Sequence, residues 1–257
     1  MKHIFFSFIL ILICSNYSNA QRWDRIISGA VKAYQAYSIT DKEMAQYANE
    51  YIKQLDAEYT VCKNSSKYAI RLKRLTAGLT SANGIKLNFK VYDTPELNAF
   101  ACPDGSIRVF SGLMNIMSDN EILGIIGHEI GHVANKDSKD AFKNALISSA
   151  ILVGAAAFSR NVAIFSDSSL GALSQAYFSA KFSRKQEYAA DQYGYDFLKK
   201  SGKNPKAMAL ALKKLIQMKE SSGSQISDAL LQLFSTHPAI EERVKIMESR
   251  AKKEGYL

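Results

Sequence analysis

Two histidines and a glutamate fall within five residues, His128-Glu129-Ile130-Gly131-His132, inside a stretch whose other members, such as Ile122, Ile125, Ile126 and Val133, are apolar. Such a stretch belongs in a core, where a carboxylate or an imidazole pair is costly without a partner. Local signals make it a helix, because Ser118 followed by Glu121 is a capping box that opens a run to about Asn135. Residues i and i+4 share one helix face, so both imidazoles can reach one Zn²⁺ at about 2.0–2.1 Å, with Glu129 beside the fourth coordination position. There Glu129 can take a proton from a water whose pKa zinc lowers toward about 7.

Two imidazoles leave a catalytic zinc short of a protein ligand. No third histidine follows at the HExxHxxGxxH spacing, so a carboxylate from another helix is the natural choice. Glu187, in Ser183-Arg184-Lys185-Gln186-Glu187-Tyr188-Ala189-Ala190-Asp191, fits best, because Asp191 lies one turn further along the same face. Glu187 can then bind the metal while Asp191 hydrogen-bonds the outer nitrogen of His128. An acidic pair at this spacing is usually a solvated helix face, and it gains meaning only from the histidine motif.

The chain has 257 residues, 47% of them apolar, enough for a real core in one large domain or two small ones. Helical spacing of Met44, Tyr47, Ala48, Tyr51, Ile52 and Leu55 predicts one or two helices over 23–59, and 67–80 reads as another. Asn83-Gly84 marks a turn, 86–92 alternates as a half-buried strand, and 98–102 with 106–110 reads as a hairpin around Pro103-Asp104-Gly105. Residues 145–158 are apolar but fall short of the roughly twenty that span a bilayer, so they read as a packed or interface-lying helix. Gly154, Gly171, Ser166, Ser168 and Ser169 mark a mobile connection, and 137–179 as a whole reads either as a lid over the cleft or as a membrane-contacting helix. Helices are expected over 172–199, 205–221 and 238–255. Helices, a small sheet and more helices give an α+β fold, with residues 21–80 as a helical segment packed on a catalytic domain of residues 81–257.

The first twenty residues carry Lys2, an apolar run over 4–13 interrupted only by Ser7, and small residues Ser18 and Ala20 before Gln21. This is the pattern of a secretory signal peptide cleaved before Gln21. Lipid attachment at Cys14 is the rival, weakened by Ile13 where a small residue belongs. Export leaves Cys62 and Cys102 in an oxidising compartment, where they are expected to form a disulfide, with unpaired core thiols as the alternative. The 33 Lys and Arg against 24 Asp and Glu leave a net charge of +9. These cations are scattered in ones and twos, which suits a solvated surface and peripheral membrane association and speaks against nucleic acid.

Four motifs resemble those of the HtpX, LoiP and BepA type of zinc metallopeptidases, the HExxH gluzincin family that also holds the CAAX prenyl protease. They are His128 to His132, Glu187 to Asp191, Asn98-Ala99-Phe100 leading to Ser111-Gly112-Leu113, and Ser235-Thr236-His237-Pro238. The resemblance covers about residues 85–250, and the Asn-Ala-Phe block looks most like the LoiP-like periplasmic branch. It implies a mostly helical zincin-like domain with a small sheet beside the HExxH helix, one zinc held by His128, His132 and Glu187, Glu129 as general base and Asp191 as orienting carboxylate. It further implies that His237 stabilises the oxyanion and that Asn98 and Ala99 pair with substrate backbone. A bridge from Cys62 to Cys102 would brace that edge. The implied activity is zinc-dependent endoproteolysis of unfolded or misassembled envelope proteins, and a non-hydrolytic zinc-binding chaperone for outer-membrane proteins is the alternative.

Overall fold

The computed structural model describes residues 39–153, 167–222 and 228–256. The expected leader, Cys14, Gly154, Ser166 and the end of the apolar stretch lie outside them. In chain order the elements are α1 (Asp41–Glu58), α2 (Lys67–Leu75), β1 (Ser81–Ala82), β2 (Ile85–Lys86), β3 (Asn88–Tyr92), β4 (Ala99–Ala101) and β5 (Ser106–Phe110). There follow α3 (Ser111–Ile116), α4 (Asp119–Ala134), α5 (Asp137–Val153), α6 (Asp167–Phe178), α7 (Arg184–Lys200), α8 (Ala207–Ser222), α9 (Asp228–Thr236) and α10 (Ile240–Lys253). The fold is α+β and mostly helical, as expected.

Short β1 and β2 pair antiparallel around Asn83 and Gly84, both at positive φ (46° and 80°), the conformation that an Asn-Gly turn supplies. The main sheet has the order β3-β5-β4, with β3 parallel and β4 antiparallel to the central β5. Side chains alternate across a strand. Ile107 and Val109 therefore join Val91, Ala99 and Ala101 in a core shared with Leu72, Ile126 and Leu212. Phe110 joins Tyr92, Phe100 and Cys102 on the opposite face, under Tyr51, Phe142 and Tyr177. Arg108 points to this second face and makes a two-pronged pair with Asp56 of α1, at 2.8 and 3.0 Å. Asp56 also accepts from Tyr92 at 2.8 Å and Lys90 at 2.7 Å. A bidentate guanidinium–carboxylate pair fixes orientation as well as distance, so it sets α1 over the sheet.

This layout overturns the expected disulfide. Cys62 and Cys102 are both unbonded, and they lie in different cores. The Cys62 amide donates to Val91 on the outer side of β3, while the Cys102 amide donates to Ser106 on the far side of β5. Three inter-strand spacings, roughly 14 Å, separate those positions, whereas a disulfide tolerates Cα separations only up to about 7 Å.

Helix boundaries also move. The helix expected over 145–158 begins at Asp137, and the one expected over 172–199 is two helices, because Ser183 and Gln186 form a capping box that starts α7. Helices α3 and α9 were not expected. In the described part of 137–179, α5 and α6 pack on each other and bury Phe142, Leu146, Leu173 and Tyr177.

Helix α4 opens with the Ser118–Glu121 capping box and is buried over its whole length from Ile122 to Ala134. It is enclosed by α7, α8 and the sheet, which requires glycine where neighbours come closest. A Cβ on Gly131 would lie 2.4 Å from the Ala190 carbonyl oxygen of α7, and one on Gly124 would lie 2.4 Å from the Met208 amide of α8. Gly131→Ala should therefore cost about 1–3 kcal/mol by overpacking, read from urea unfolding of the metal-free protein. Gly171→Ala, in α6 with nothing within 4 Å of the new carbon, should instead gain up to about 1 kcal/mol of helix propensity. Equal effects at the two sites would contradict the packing described.

Candidate metal centre

Four side chains from three parts of the fold meet at the middle of α4. His128, His132, Glu187 and His237 each offer an atom within 4.8 Å of the others, and only His237 is not fully buried. The two histidines of α4 converge through their Nε2 atoms, 3.0 Å apart. Glu187 of α7 faces them, its Oε1 at 3.4 Å from His132 Nε2 and its Oε2 at 3.6 Å from His128 Nε2. His237 closes the cluster with its Nδ1 at 3.0 Å from Glu187 Oε1 and 3.4 Å from His128 Nε2.

The outer nitrogens are committed elsewhere. His128 Nδ1 lies 2.8 Å from Asp191 Oδ1, and His132 Nδ1 lies 3.0 Å from Asp137 Oδ2. A carboxylate there keeps the proton on Nδ1 and turns the Nε2 lone pair inward. Asp137 was not foreseen. It reaches His132 because Lys136 adopts a left-handed conformation (φ 66°), which turns the chain sharply after α4 and starts α5 with that carboxylate facing back. Another left-handed residue, Ala239 (φ 60°), serves the junction of α9 and α10. Alanine there costs about 1–2 kcal/mol, and the turn brings both His237 and Arg243 to the cluster.

Arg243, also not foreseen, is 1% exposed. Its Nε and Nη2 donate to Asp191 at 2.7 and 2.8 Å, and its Nη1 pairs with Glu187 Oε2. It therefore balances the two buried acids of α7. Burial pushes Asp191 upward, but Arg243 holds it below the ordinary carboxylate range. Burial acts on Glu187 in the same sense, and the charges of His237 and His128 with the His132 hydrogen bond hold it far below that range. Burial and the neighbouring His132 lower His128 to about 4. Burial pulls His132 down as well, yet Asp137 and Glu187 outweigh it and raise that ring to about 9.

Two imidazole nitrogens and a carboxylate, with a third imidazole beside them, form the donor chemistry of a Zn²⁺ site. The residues fit the ion: their donor atoms lie together, and the outer nitrogens of His128 and His132 are already partnered. Glu129, 5% exposed, sits in the wall between two small cavities. One, of 20 Å³, is lined by apolar residues including Leu113, Ile125 and Leu212. The other, of 40 Å³, runs along Asn98–Ala101 beneath Tyr177, Phe178 and Phe182. A larger cavity of 820 Å³ opens beside α1, and none of the four donor residues lines it.

The expected substrate edge divides. The Asn98 carbonyl accepts from Phe110, so it is used within the sheet. In an antiparallel ladder the next residue's backbone groups face the other way, which leaves those of Ala99 on the free edge of β4. Beyond it, Tyr177 donates to the Ala101 carbonyl, Phe178 packs on Phe100 at 5.0 Å, and Phe182 stacks on His132 at 4.0 Å.

The chain matches peptidase family M48 over residues 68–251. It is 37% identical to metalloprotease LoiP of Escherichia coli over 231 residues, covering 90% of this chain and 89% of that one. It is 34% identical to metalloprotease YcaL of the same organism, covering 87% and 86%. Against the mitochondrial metalloendopeptidase OMA1 of Arabidopsis thaliana it is 32% identical, over 66% of this chain and 33% of that one.

Two substitutions test the support around the cluster. Arg243→Ala should destabilise the protein by about 3–5 kcal/mol in urea unfolding, since it strands two buried carboxylates. Asp137→Asn should weaken zinc binding about 10–100-fold in a chelator competition, while Asp140→Asn, on the same helix but exposed, leaves it unchanged. Equal affinities would remove Asp137 from the site.

Proposed function

The chain belongs to peptidase family M48 and is a metalloendopeptidase, and on that footing we propose that it is exported and uses zinc to cut extended segments of unfolded or misassembled envelope proteins. His128, His132 and Glu187 hold the ion, while Asp191 and Asp137 orient the two imidazoles. The observation that carries the reading is the inward convergence of two Nε2 atoms and a carboxylate whose other neighbours are engaged.

A bound zinc ion supplies Lewis acidity toward a carbonyl oxygen and makes water more acidic. The remaining work falls to the protein. Glu129 takes a proton from the attacking water on its carboxylate and passes it to the leaving amine. Burial raises that carboxyl above its ordinary value, so Glu129 holds a proton more strongly than an exposed glutamate does. His237 donates toward the carbonyl oxygen as negative charge builds on it.

The substrate class is supported by the edge of β4, which runs beside Glu129. The outward backbone groups of Ala99 suit an extended chain added as a strand, a mode tolerant of sequence. Export is supported by the apolar run over 4–13 and by Ser18 and Ala20. It puts the enzyme in the periplasm, with peripheral association to a membrane surface through its excess of basic residues. Among the described residues no helix is long and apolar enough to cross a membrane.

Incubation of zinc-loaded protein with unfolded casein tests the activity. Wild type should yield fragments, and Glu129→Gln at matched zinc content should slow the cleavage at least about 10²-fold. Suppression of casein aggregation by both forms with cleavage by neither would favour the zinc-binding chaperone.

A further inference from the structure

The opposite edge of the sheet carries a second groove that the peptidase activity does not use. It has a volume of 470 Å³ and lies between α2 and the outer edge of β3, within the range of sites that hold ligands. One wall is a single face of α2, with Ala69, Leu72, Lys73 and Thr76 at helical spacing, and the other is the strand from Leu87 to Val91.

The strand's backbone is unsatisfied there. The Asn88 amide donates to Gly105, so in this parallel ladder Asn88, Lys90 and Tyr92 address β5 while Phe89 and Val91 address the groove. The Val91 carbonyl accepts from Cys62 at 2.9 Å. The Phe89 amide and carbonyl and the Val91 amide have no partner among the described residues. The chain itself shows that this edge pairs with a strand: residues 60–62 run antiparallel to it, bridging Val61 to Tyr92. They then leave in the turn closed by Ser66 and Lys63, before reaching the level of Phe89.

We propose that this groove is a second polypeptide site, which takes an extended acidic segment of a partner protein as an added strand beside Phe89. Unpaired amides and carbonyls at strand spacing recognise backbone and are indifferent to its sequence. The floor of Leu72, Leu87 and Val91 is buried and apolar, which suits apolar side chains at alternate positions of the incoming strand. Charge selects the remainder: Lys73 and Lys90 are the charged residues lining the groove and no acid lines it. Lys90 is already paired with Asp56, so the exposed Lys73 is the cation on offer to a carboxylate. Because β3 and β4 are opposite edges of one sheet, a segment held here leaves the cleft beside Glu129 open.

The test uses a fluorescein-labelled octapeptide of alternating valine and glutamate, titrated by anisotropy into the full chain carrying Glu129→Gln to prevent cleavage. Saturable binding is expected, weakened at least fivefold by Lys73→Glu and abolished when alternate peptide nitrogens are methylated. Hydrogen exchange at Phe89 and Val91 should slow on binding. Lys73→Glu changes an exposed helix position, so its fold is not at risk, and the methylated peptide requires no protein variant. Three results would each overturn the proposal: no binding, binding indifferent to Lys73→Glu with protection confined to residues 98–102, or full protection of Phe89 before any peptide is added.

Discussion

The contact between α4 and α7 governs the rest of the structure, because the histidines stand on one helix and Glu187 on the other. Ordinary helix pairs sit 8–10 Å apart, held off by their side chains. Here the facing positions are Gly127, Gly131, Ala190 and Gly194, and a Cβ on Gly194 would come within 2.7 Å of the Gly127 backbone. The close approach allows a short carboxylate to reach two imidazoles without a loop to carry it. A donor set built on helices is held more firmly than one built on loops, which suits a site whose geometry must survive substrate exchange.

That proximity creates an electrostatic problem, which α10 resolves. Glu129, Glu187 and Asp191 are all buried near one another, and unpaired charges in such a place are expensive. Arg243 answers two of them directly, and it arrives there because Ala239 accepts a left-handed conformation. The same turn delivers His237, so the end of the chain supplies both the compensating cation and the last donor of the cluster. The sheet plays a quieter part: it presents β4 to the cleft and is anchored from its other face by the Asp56–Arg108 pair.

What could be read from the sequence was what local spacing encodes. An i, i+4 histidine pair fixes a helix face, the Ser118–Glu121 box fixes where that helix starts, and Glu187 with Asp191 repeats the same logic one helix away. Asp137 was hidden because its role depends on one left-handed residue, Lys136, which carries no strong sequence signal. Arg243 looked like any cation in Glu241-Glu242-Arg243-Val244-Lys245, and only the tertiary approach of α10 buries it. The break between α6 and α7 did have a signal, the Ser183–Gln186 box, which the apolar pattern on both sides obscured. The cysteines failed for another reason: even numbers and an oxidising compartment say nothing about which side of a sheet each thiol occupies.

The central claim is that two imidazoles from α4 and a carboxylate from α7 grip one zinc ion. X-ray absorption at the zinc edge, on protein loaded with one equivalent, reads this directly. The account predicts nitrogen and oxygen neighbours at about 2.0–2.2 Å, with multiple scattering from at least two imidazoles that falls by one ring in His132→Ala. Sulfur neighbours at about 2.3 Å, or an all-oxygen environment without imidazole scattering, would contradict it.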